Sequence, residues 1–328
     1  MTLSIVILSW NTLNLTRNCL RSIFANVKDL ALASEASKEN DSFLFEVIVV
    51  ENGSQDGSLE MIEQEFPQVK LIKNNYNAGF TKGNNQGFRA SRGEYILFLN
   101  SDTVIPSSSN SPKSVFELMV EKMTEDRSIS MLTPKLIYPD GRFQDEYYRK
   151  LPSIIQTFWV YLFPFNKLTH NIKFLRRRYL SDVNPDKSGY IENFNVPGAA
   201  PIISREAYEK VGGRDENIFY WMEDIDLFWS MRKAGYKMFY LAEATIIHLG
   251  GMSNIMWDDL RKMLDFRQGY VYVFRKHKGK FQGFVVKWMF ILNVLISAPF
   301  LLILGIFKRK FWKKGTAALK FSWKFLKV

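Results

Sequence analysis

The stretch from Tyr95 to Thr103, with the sequence Y-I-L-F-L-N-S-D-T, constrains the fold of this chain more than any other. Its opening residues are apolar almost without interruption, which is typical of a strand buried on both faces of a parallel sheet. The apolar run is followed by Asp102. A carboxylate just beyond the carboxyl end of such a strand lies in the crevice where open α/β sheets bind ligands, and it can hold a hard cation against a phosphate.

Strands and helices alternate through the first part of the chain. Apolar runs predict strands over Leu3–Ser9, Phe45–Val50 and Val69–Ile72, and helical spacing follows the first two. This βαβαβ order implies parallel strands joined by right-handed crossovers. We therefore predict an α/β fold with a Rossmann-like, mostly parallel sheet flanked by helices, and a surface loop over the polar residues 28–42.

The segment from Asn74 to Gly93 is rich in asparagine and glycine. These residues are poor helix formers, although apolar spacing indicates a helix near the end of the segment. Small and amide side chains there would let a ligand approach closely and would bond to its ring edges. An irregular capped helix is the structural alternative, and the sequence alone does not separate the two.

Two groups in the second half of the chain could carry chemistry. The acids Glu223, Asp224 and Asp226 are predicted to open a helix, whose dipole stabilises negative charge. Acids at a helix start are usually caps, so the chemical interpretation depends on their number beside an aromatic run. His248 follows a predicted strand; most such histidines are structural, but a neutral imidazole could join Asp102 as a metal ligand.

The net charge of +11 is distributed unevenly. Residues 1–265 contain all 33 acidic residues and 30 of the basic ones, so they carry a formal charge of −3, and the remaining residues carry +14. The basic residues of this tail are interleaved with Phe, Trp and Leu. That composition favours an anionic membrane surface over a nucleic-acid groove, and we expect no nucleic-acid partner.

Residues 288–307 form an uncharged apolar run, long enough to cross a bilayer at about twenty residues per span. Basic clusters flank both ends, and the positive-inside rule would place both in the cytoplasm, which a single crossing does not satisfy. Pro299 would allow a broken helix that enters and returns, and shallow insertion would also serve. The core helix of a soluble protein is the alternative.

We therefore divide the chain into an α/β domain over residues 1–255 and a helical, basic, membrane-associated region over residues 256–328. Attachment to the cytoplasmic face of the cell membrane is expected through residues 281–328. Within the first domain, residues 142–190 have the character of a variable insert. We interpret it as an acceptor-side element, although a membrane-touching surface or simple core packing would give a similar composition.

Eight short motifs follow one another between residues 3 and 251. They are S-I-V-I-L-S-W-N at 4–11, V-V-E-N-G-S-Q-D-G-S at 49–58, N-A-G-F-T-K-G-N-N-Q-G at 77–87, L-F-L-N-S-D-T at 97–103, P-G-A-A at 197–200, V-G-G-R-D-E at 211–216, E-D-I-D-L at 223–227 and H-L-G-G at 248–251. Their sequences and their order resemble the family 2 glycosyltransferases with a GT-A fold, especially bacterial rhamnosyltransferase-like members.

The resemblance implies roles for individual residues. Glu51 matches the acid that meets the nucleobase, and Asp102 matches the last acid of the metal-binding D-x-D motif, with His248 as a further ligand of Mg²⁺ or Mn²⁺. Asp224 matches the general base and Glu223 its partner in the E-D pair. The remaining donor-binding residues are Ser9, Asn11, Asn52, Asp56, Gly79, Phe80, Asn84, Asn100 and Ser101, and the sugar and acceptor residues are Gly198, Ala199 and Trp221.

The sequence departs from the family pattern at two of these positions. Glu51 replaces the commoner Asp, which lengthens the side chain by one methylene and could alter the base preference. Asn100 replaces the first acid of D-x-D, as in much of the rhamnosyltransferase-like branch, so one charge fewer holds the cation.

The implied activity is inverting, metal-dependent transfer of a sugar, such as rhamnose or a related deoxyhexose, from a dTDP- or UDP-linked donor. The acceptor would be a polyprenyl-diphosphate-linked glycan in cell-surface polysaccharide assembly. A polyprenyl-phosphate sugar synthase would share the same body and anchor. A sugar-nucleotide pyrophosphorylase is less compatible, because Ser9–Thr12 stands where its Gly-rich triphosphate loop is expected. A fourth hypothesis is a non-enzymatic membrane-binding protein.

Overall fold

One mixed β-sheet organises the protein. The computed structural model describes residues 2–27, 31–32, 44–107, 113–158, 183–192, 194–219, 221–250, 259–307 and 316. Within them the strands are β1 (Leu3–Ser9), β2 (Ala31–Leu32), β3 (Leu44–Asn52), β4 (Lys70–Asn74), β5 (Tyr95–Asn100), β6 (Thr103–Val104), β7 (Ile129–Ile137), β8 (Gly189–Tyr190), β9 (Ile202–Ser204) and β10 (Lys237–His248).

Helices cover the sheet and extend beyond it at the carboxyl terminus. They are α1 (Leu13–Asn26), α2 (Ser58–Glu65), α3 (Phe80–Ala90), α4 (Val115–Glu125), α5 (Ile154–Thr157), α6 (Arg205–Lys210), α7 (Glu223–Lys233), α8 (Asp259–Lys278) and α9 (Lys280–Phe307), with a 3₁₀ turn at Asp145–Tyr147.

The sheet has a parallel half and a mixed half. Its order is β2-β3-β1-β5-β9-β7-β10-β6, with β4 also pairing with β3 and β8 with β10. The β2, β3, β4, β1 and β5 pairings are all parallel, as the βαβαβ order predicts. Beyond β5 the short strand β9 is antiparallel to both β5 and β7. The predicted α/β class is therefore confirmed.

The hydrophobic core lies on both faces of the central strands. Consecutive residues Ile5, Val6 and Ile7 of β1 are all fully buried, although their side chains point alternately to opposite faces. Helix α3 packs against β1 and β3, and α4 packs against β7 and β10. The continuous apolar runs of the sequence reflect this coverage of both faces.

Several local predictions need correction. Residues 31–32 of the expected loop form β2, while most of that loop lies outside the described residues. The two strands expected near residues 236–247 are one strand, β10, whose register shifts between Leu241 and Thr245. Helix α9 continues through Pro299 without a break. In the insert 142–190, residues 159–182 lie outside the described part of the chain, so its role stays a prediction.

The carboxyl-terminal helices form a second apolar cluster with residues of the α/β domain. Phe274 of α8 and Phe290 of α9 are fully buried, and they share this cluster with Trp229 of α7 and Met222 just before it. The ring centroids of Trp229 and Phe274 are 5.7 Å apart in an edge-to-face arrangement. The α8–α9 hairpin is therefore packed against the helix that begins with Glu223 and Asp224.

Candidate active site

Asp102 and His248 are brought together at one end of the sheet. Thr103 of β6 is paired in register with His248 of β10, and the backbone N–H of Leu249 donates to the Asp102 carbonyl oxygen at 2.9 Å. Both side chains are buried, and His248 Nε2 lies 3.5 Å from Asp102 Oδ1. Antiparallel pairing across β6 and β10 thus joins two residues that are 146 positions apart in the sequence.

Gln144 fixes the orientation of the His248 ring. Its Nε2 donates to the His248 carbonyl oxygen at 2.6 Å, and its Oε1 lies 2.9 Å from His248 Nδ1. The amide oxygen can only accept, so Nδ1 donates to it and Nε2 is the ring nitrogen that faces the Asp102 carboxylate. Among the described residues, Nε2 has no hydrogen-bond partner.

A divalent cation at this place would use the Asp102 carboxylate and His248 Nε2 as ligands, and both side chains are buried. An oxygen and an imidazole nitrogen suit Mg²⁺ or Mn²⁺, so these two residues fit the expected ion. In the described part of the chain, no group of three or more acidic, His or Cys residues could hold a metal. The other ligands would have to be water and the donor diphosphate.

Asp224 lies at the start of α7 in a position that only a glycine neighbour allows. Arg214 Nη1 donates to Asp224 Oδ1 at 2.6 Å. A Cβ atom at Gly198 would overlap both carboxylate oxygens of Asp224. The Asp224 side chain is 26% exposed, whereas the Arg214 side chain is fully buried. The carboxylate is therefore held from one side and open to solvent on another.

The two neighbouring acids have different surroundings. Glu223 is buried, and its Oε2 has no hydrogen-bond partner among the described residues. Burial, and then the charge of Asp224, raises the pKa of Glu223 to about 8. Glu223 is thus mainly protonated at neutral pH, while Asp224 has the Arg214 guanidinium beside it. A pair whose environments differ in this way can take different roles in acid–base chemistry.

The backbone just before these acids is strained. Trp221 and Met222 have φ angles of 65° and 70°, in a region that residues with a Cβ rarely adopt. Such conformations cost on the order of 1–3 kcal/mol each and concentrate at functional sites. Trp221, predicted to contact sugar or acceptor, is 37% exposed. Strain and exposure both support a functional role for it.

The loops that follow β1 and β3 hold each other. The backbone N–H of Asn11 donates to Ser54 Oγ at 2.8 Å, and Asn11 Oδ1 accepts from the Gln55 N–H at 2.8 Å. Asp56 accepts from the backbone N–H groups of Leu13, at the start of α1, and Ser58, at the start of α2. The Ser9 hydroxyl bonds to those of Thr12 and Thr16.

Glu51 and Asn52 also bond to nearby protein groups. Glu51 accepts from the backbone N–H groups of Gly53 and Ser54, at 3.1 and 2.8 Å. Asn52 Oδ1 accepts from Asn74 Nδ2 and from the Ala78 N–H. These residues therefore shape the loops, and a base-binding role for Glu51 would have to use its remaining acceptor capacity.

The asparagine- and glycine-rich segment forms helix α3. Gly79 precedes it with a φ of 88°, and the Phe80 N–H donates to the Phe219 carbonyl oxygen at 3.0 Å. Asn84 is buried and donates to the Phe80 carbonyl oxygen within the helix. Asn85 was not singled out from the sequence, yet it bonds to both the N–H and the carbonyl oxygen of Arg214.

The end of β5 links the two acidic sites. The Asn100 N–H donates to the Ala199 carbonyl oxygen at 2.8 Å, next to Gly198. Asn100 is half-buried, and Ser101 and Asp102 are buried. Asn100 thus lies two residues from Asp102 and one hydrogen bond from the segment that contacts Asp224, so the end of β5 connects the segments that hold the predicted metal and base residues.

Sequence reasoning missed two residues that hold the site together. Arg214 lay in the quoted V-G-G-R-D-E motif, but nothing in the motif indicated a pairing with Asp224. Gln144 had no signal at all, because its partner His248 is distant in sequence. Arg214 is also packed between aromatic rings, with its guanidinium carbon 5.2 and 5.3 Å from the ring centroids of Phe80 and Phe98.

Comparison with known proteins identifies the family of this chain. The family described as "Glycosyl transferase family 2" matches residues 4–212, which is more than half of the chain. The chain belongs to this family. The family 2 resemblance deduced from the eight motifs is confirmed, and the protein is a glycosyltransferase.

Two curated relatives have specific names. An N-acetylglucosaminyl-diphospho-decaprenol L-rhamnosyltransferase of Mycobacterium tuberculosis is 26% identical over 248 residues, which is 71% of this glycosyltransferase and 76% of the relative. A poly(ribitol-phosphate) beta-glucosyltransferase of Bacillus spizizenii is 31% identical over 113 residues, which is 33% of this chain and 16% of the relative.

Two solved structures have a similar fold. The mannosyltransferase PcManGT of Pyrobaculum calidifontis, in complex with GDP-Man and Mn²⁺, has a TM-score of 0.53 at 13% identity, covering 99% of this chain and 86% of its own. TarS 1–349 of S. aureus has a TM-score of 0.50 at 13% identity, covering 98% and 81%. At these identities the likeness concerns the fold alone, and the expected GT-A fold is confirmed.

Proposed function

We propose that this family 2 glycosyltransferase is an inverting, metal-dependent enzyme that transfers rhamnose or a related deoxyhexose from a dTDP- or UDP-linked donor. The acceptor is a polyprenyl-diphosphate-linked glycan. The observation that carries the proposal is the connection between two acids, Asp102 facing His248 and Asp224 facing Arg214, through the Asn100–Ala199 hydrogen bond at the end of β5. The named activity of the mycobacterial relative supports the choice of sugar and acceptor.

Each acid has one task in this mechanism. A divalent cation held by Asp102 and His248 would stabilise the diphosphate as it leaves, as a Lewis acid. Asp224 accepts the proton of the acceptor hydroxyl as that oxygen attacks the anomeric carbon, a contribution of roughly 10²- to 10⁴-fold in rate. Arg214 keeps the Asp224 carboxylate in one orientation. Direct attack opposite the leaving group inverts the anomeric configuration.

The surface of α9 supports a lipid-linked acceptor. The segment Lys280–Pro299 is long and apolar enough to cross a membrane, and 33% of it is buried against the protein. One face packs on α8, and the other exposes large apolar side chains at helical spacing. These are Phe281, Phe284, Trp288, Leu292, Leu295, Ile296, Ile303 and Ile306. Such a face suits the bilayer, and the proposed location is the cytoplasmic side, where nucleotide sugars are consumed in this reaction. The predicted basic flank from Lys308 onward lies outside the described residues.

The test is transfer by the purified full-length protein in lipid nanodiscs. dTDP-rhamnose and UDP-sugars are supplied with a polyprenyl-diphosphate GlcNAc acceptor, with Mg²⁺, Mn²⁺ or EDTA. We expect metal-dependent transfer and a product of opposite anomeric configuration by NMR. Asp224→Asn is expected to lose transfer while retaining donor binding in a thermal-shift assay. Equal loss of binding and transfer would contradict the assignment of Asp224 as base.

The same assay separates the polyprenyl-phosphate sugar synthase. With a polyprenyl monophosphate as the sole acceptor, a synthase would form a single sugar on a monophosphate lipid. We expect no product there and an extended diphosphate-linked glycan with the other acceptor. The reverse result would overturn the proposed acceptor while leaving the glycosyltransferase activity intact.

A further inference from the structure

Lys276 of helix α8 joins two segments of the catalytic body. Its Nζ lies 2.7 Å from Asp215 Oδ2 and 2.9 Å from Asp226 Oδ2. Asp215 belongs to the loop before α7, and Asp226 belongs to α7 itself. One ammonium group on the carboxyl-terminal hairpin therefore holds two carboxylates that come from different segments.

Each of these carboxylates is close in sequence to one partner of the Arg214–Asp224 ion pair. Asp215 directly follows Arg214, and Asp226 lies two residues after Asp224 in the first turn of α7. Arg214 and Asp224 bond to each other at 2.6 Å. Lys276 thus bridges the two backbone segments that carry Arg214 and Asp224.

Two neighbouring residues also contact the carboxylates that Lys276 binds. Tyr272 OH donates to Asp215 Oδ2 at 2.9 Å, and His277 Nε2 lies 2.7 Å from Asp226 Oδ1. The side chains of Asp226 and His277 are each 2% exposed. Although burial opposes it, the hydrogen bond from Lys276 and those from Asn217 and Tyr272 lower the pKa of Asp215 to about 2. Buried carboxylates held at both oxygens move little, because breaking one bond leaves an uncompensated charge.

We propose that Lys276 is a positioning residue for catalysis: it fixes the Arg214 loop against helix α7 and so sets the orientation of the Asp224 carboxylate. The inference rests on the proposed function, since it takes Asp224 as the base. It gives the α8–α9 hairpin a second role beside membrane attachment, because the helix that packs against the apolar anchor also aligns the reacting acid.

The main variant is Lys276→Met, which keeps the length of the side chain and removes the ammonium group. We expect kcat to fall about 10- to 100-fold, as small misplacements of catalytic groups do. The KM for the nucleotide sugar is expected to stay within about twofold, because the donor residues at the ends of β1 and β3 are untouched. Lys276→Arg can still reach both carboxylates and is expected to recover most of the rate.

Two further variants make the result specific. Lys113→Met removes a lysine that binds Glu121 at 2.5 Å on helix α4, and we expect wild-type kinetics from it. Tyr272→Phe removes one hydrogen bond from Asp215 but keeps the ring, and a smaller fall in kcat is expected. It also keeps the proposal testable if Lys276→Met does not fold, which far-UV circular dichroism would reveal.

A double variant separates positioning from general destabilisation. In an Asp224→Asn background, residual transfer should not fall further when Lys276 is changed to Met, because both changes act on the same group. Additive losses, or wild-type kcat in Lys276→Met and Tyr272→Phe, would overturn the inference. If Asp224→Asn itself retained full activity, the proposed function would fail instead, so the two failures are distinguishable.

Discussion

At the scale of single residues, the site depends on carboxylates whose surroundings differ. Asp224 has an arginine beside it and partial access to solvent, whereas Glu223 is buried with one oxygen unbonded among the described residues. Asp102 has the His248 imidazole facing it. In the proposed mechanism Asp224 takes a proton and Asp102 holds a cation, while burial raises the pKa of Glu223 to about 8.

The raised pKa of Glu223 predicts a pH-dependent stability. Its pKa rises from 4.5 in the unfolded chain to about 8 in the folded protein. The folded state therefore binds more protons between these values, and stability is lost as the pH rises from 4.5 through 8. Glu223→Gln has no charge to form, so its melting temperature should fall less over this range.

The measurement is the melting temperature of both proteins from pH 5 to pH 9. The substitution removes part of the loss of stability that occurs as the pH rises. For a domain of about 250 residues, each 1 kcal/mol removed in this way separates the two curves by roughly 2–4 °C. The curves should be closest at pH 5 and furthest apart above pH 8. Parallel curves would show that Glu223 is ionised in the folded protein at neutral pH.

The close contact between Gly198 and the Asp224 carboxylate predicts a loss of activity when Gly198 is changed to alanine. Gly198→Ala would place a methyl group on the Asp224 carboxylate, which is partly exposed and would be pushed away from Arg214. We expect a fall in kcat of about 100-fold, with donor binding retained. Gly189→Ala, whose Cβ would meet nothing within 4 Å, is the matched control. Near wild-type turnover in Gly198→Ala would contradict the assigned geometry.

At the scale of elements, helix α3 explains why its sequence is so rich in glycine. A Cβ atom at Gly83 would overlap Leu8 Cδ1, and one at Gly87 would overlap Val6 Cγ1, both on strand β1. These glycines lie one turn apart on the face that meets the sheet. Close packing of helix on strand, and not ligand approach, is therefore the reason for them.

Alanine at these two positions should destabilise the protein unequally. The blocking atom at Gly87 belongs to a β-branched, fully buried valine, whereas at Gly83 it is the end of a flexible leucine. Overpacking costs about 1–3 kcal/mol, against about 1 kcal/mol gained from helix propensity. We expect Gly87→Ala to lower the urea midpoint clearly more than Gly83→Ala does; the opposite order would contradict the packing argument.

At the scale of the whole molecule, the main domain and the α8–α9 hairpin differ in the character of their surfaces. The catalytic body carries nearly balanced charge, and the α8–α9 hairpin buries one face against α7 and exposes an apolar face of α9. Because α9 runs unbroken through Pro299, the re-entrant hairpin within residues 288–307 is not formed. A helix bound to the body along one side fits insertion of the opposite side into the bilayer.

Charged residues on the exposed face should release the protein from membranes. Leu292 and Ile296 are 45% and 52% exposed and lie one turn apart. Leu292→Glu with Ile296→Glu is expected to shift most of the protein from the floating to the soluble fraction in liposome flotation. Each apolar side chain removed from lipid forfeits on the order of 1.5–3 kcal/mol. Tyr76→Glu, at a residue 54% exposed elsewhere on the body, should float as the wild type does.

Much of the fold could be predicted because its signals are local in the sequence. Apolar runs in β1, β3 and β5 and the spacing of the first helices depend on burial of consecutive residues, which a sequence displays directly. Features that depend on pairing between strands could not be predicted in this way. The two residues of β2 form a strand only through pairing with β3, and two residues leave little local pattern. The antiparallel direction of β9 likewise depends on its pairing with β5 and β7.

By itself, the sequence determined which residues carry charge, amides and apolar surface, and its motifs determined the family. Only the tertiary structure decided which of them meet. The contacts of Arg214 with Asp224, of Gln144 with His248 and of Lys276 with two carboxylates join segments that the chain separates by 10 to 104 residues. Electrostatic contacts of this kind depend on distance in space, because a charge is stabilised by whatever folding brings within a few ångströms of it.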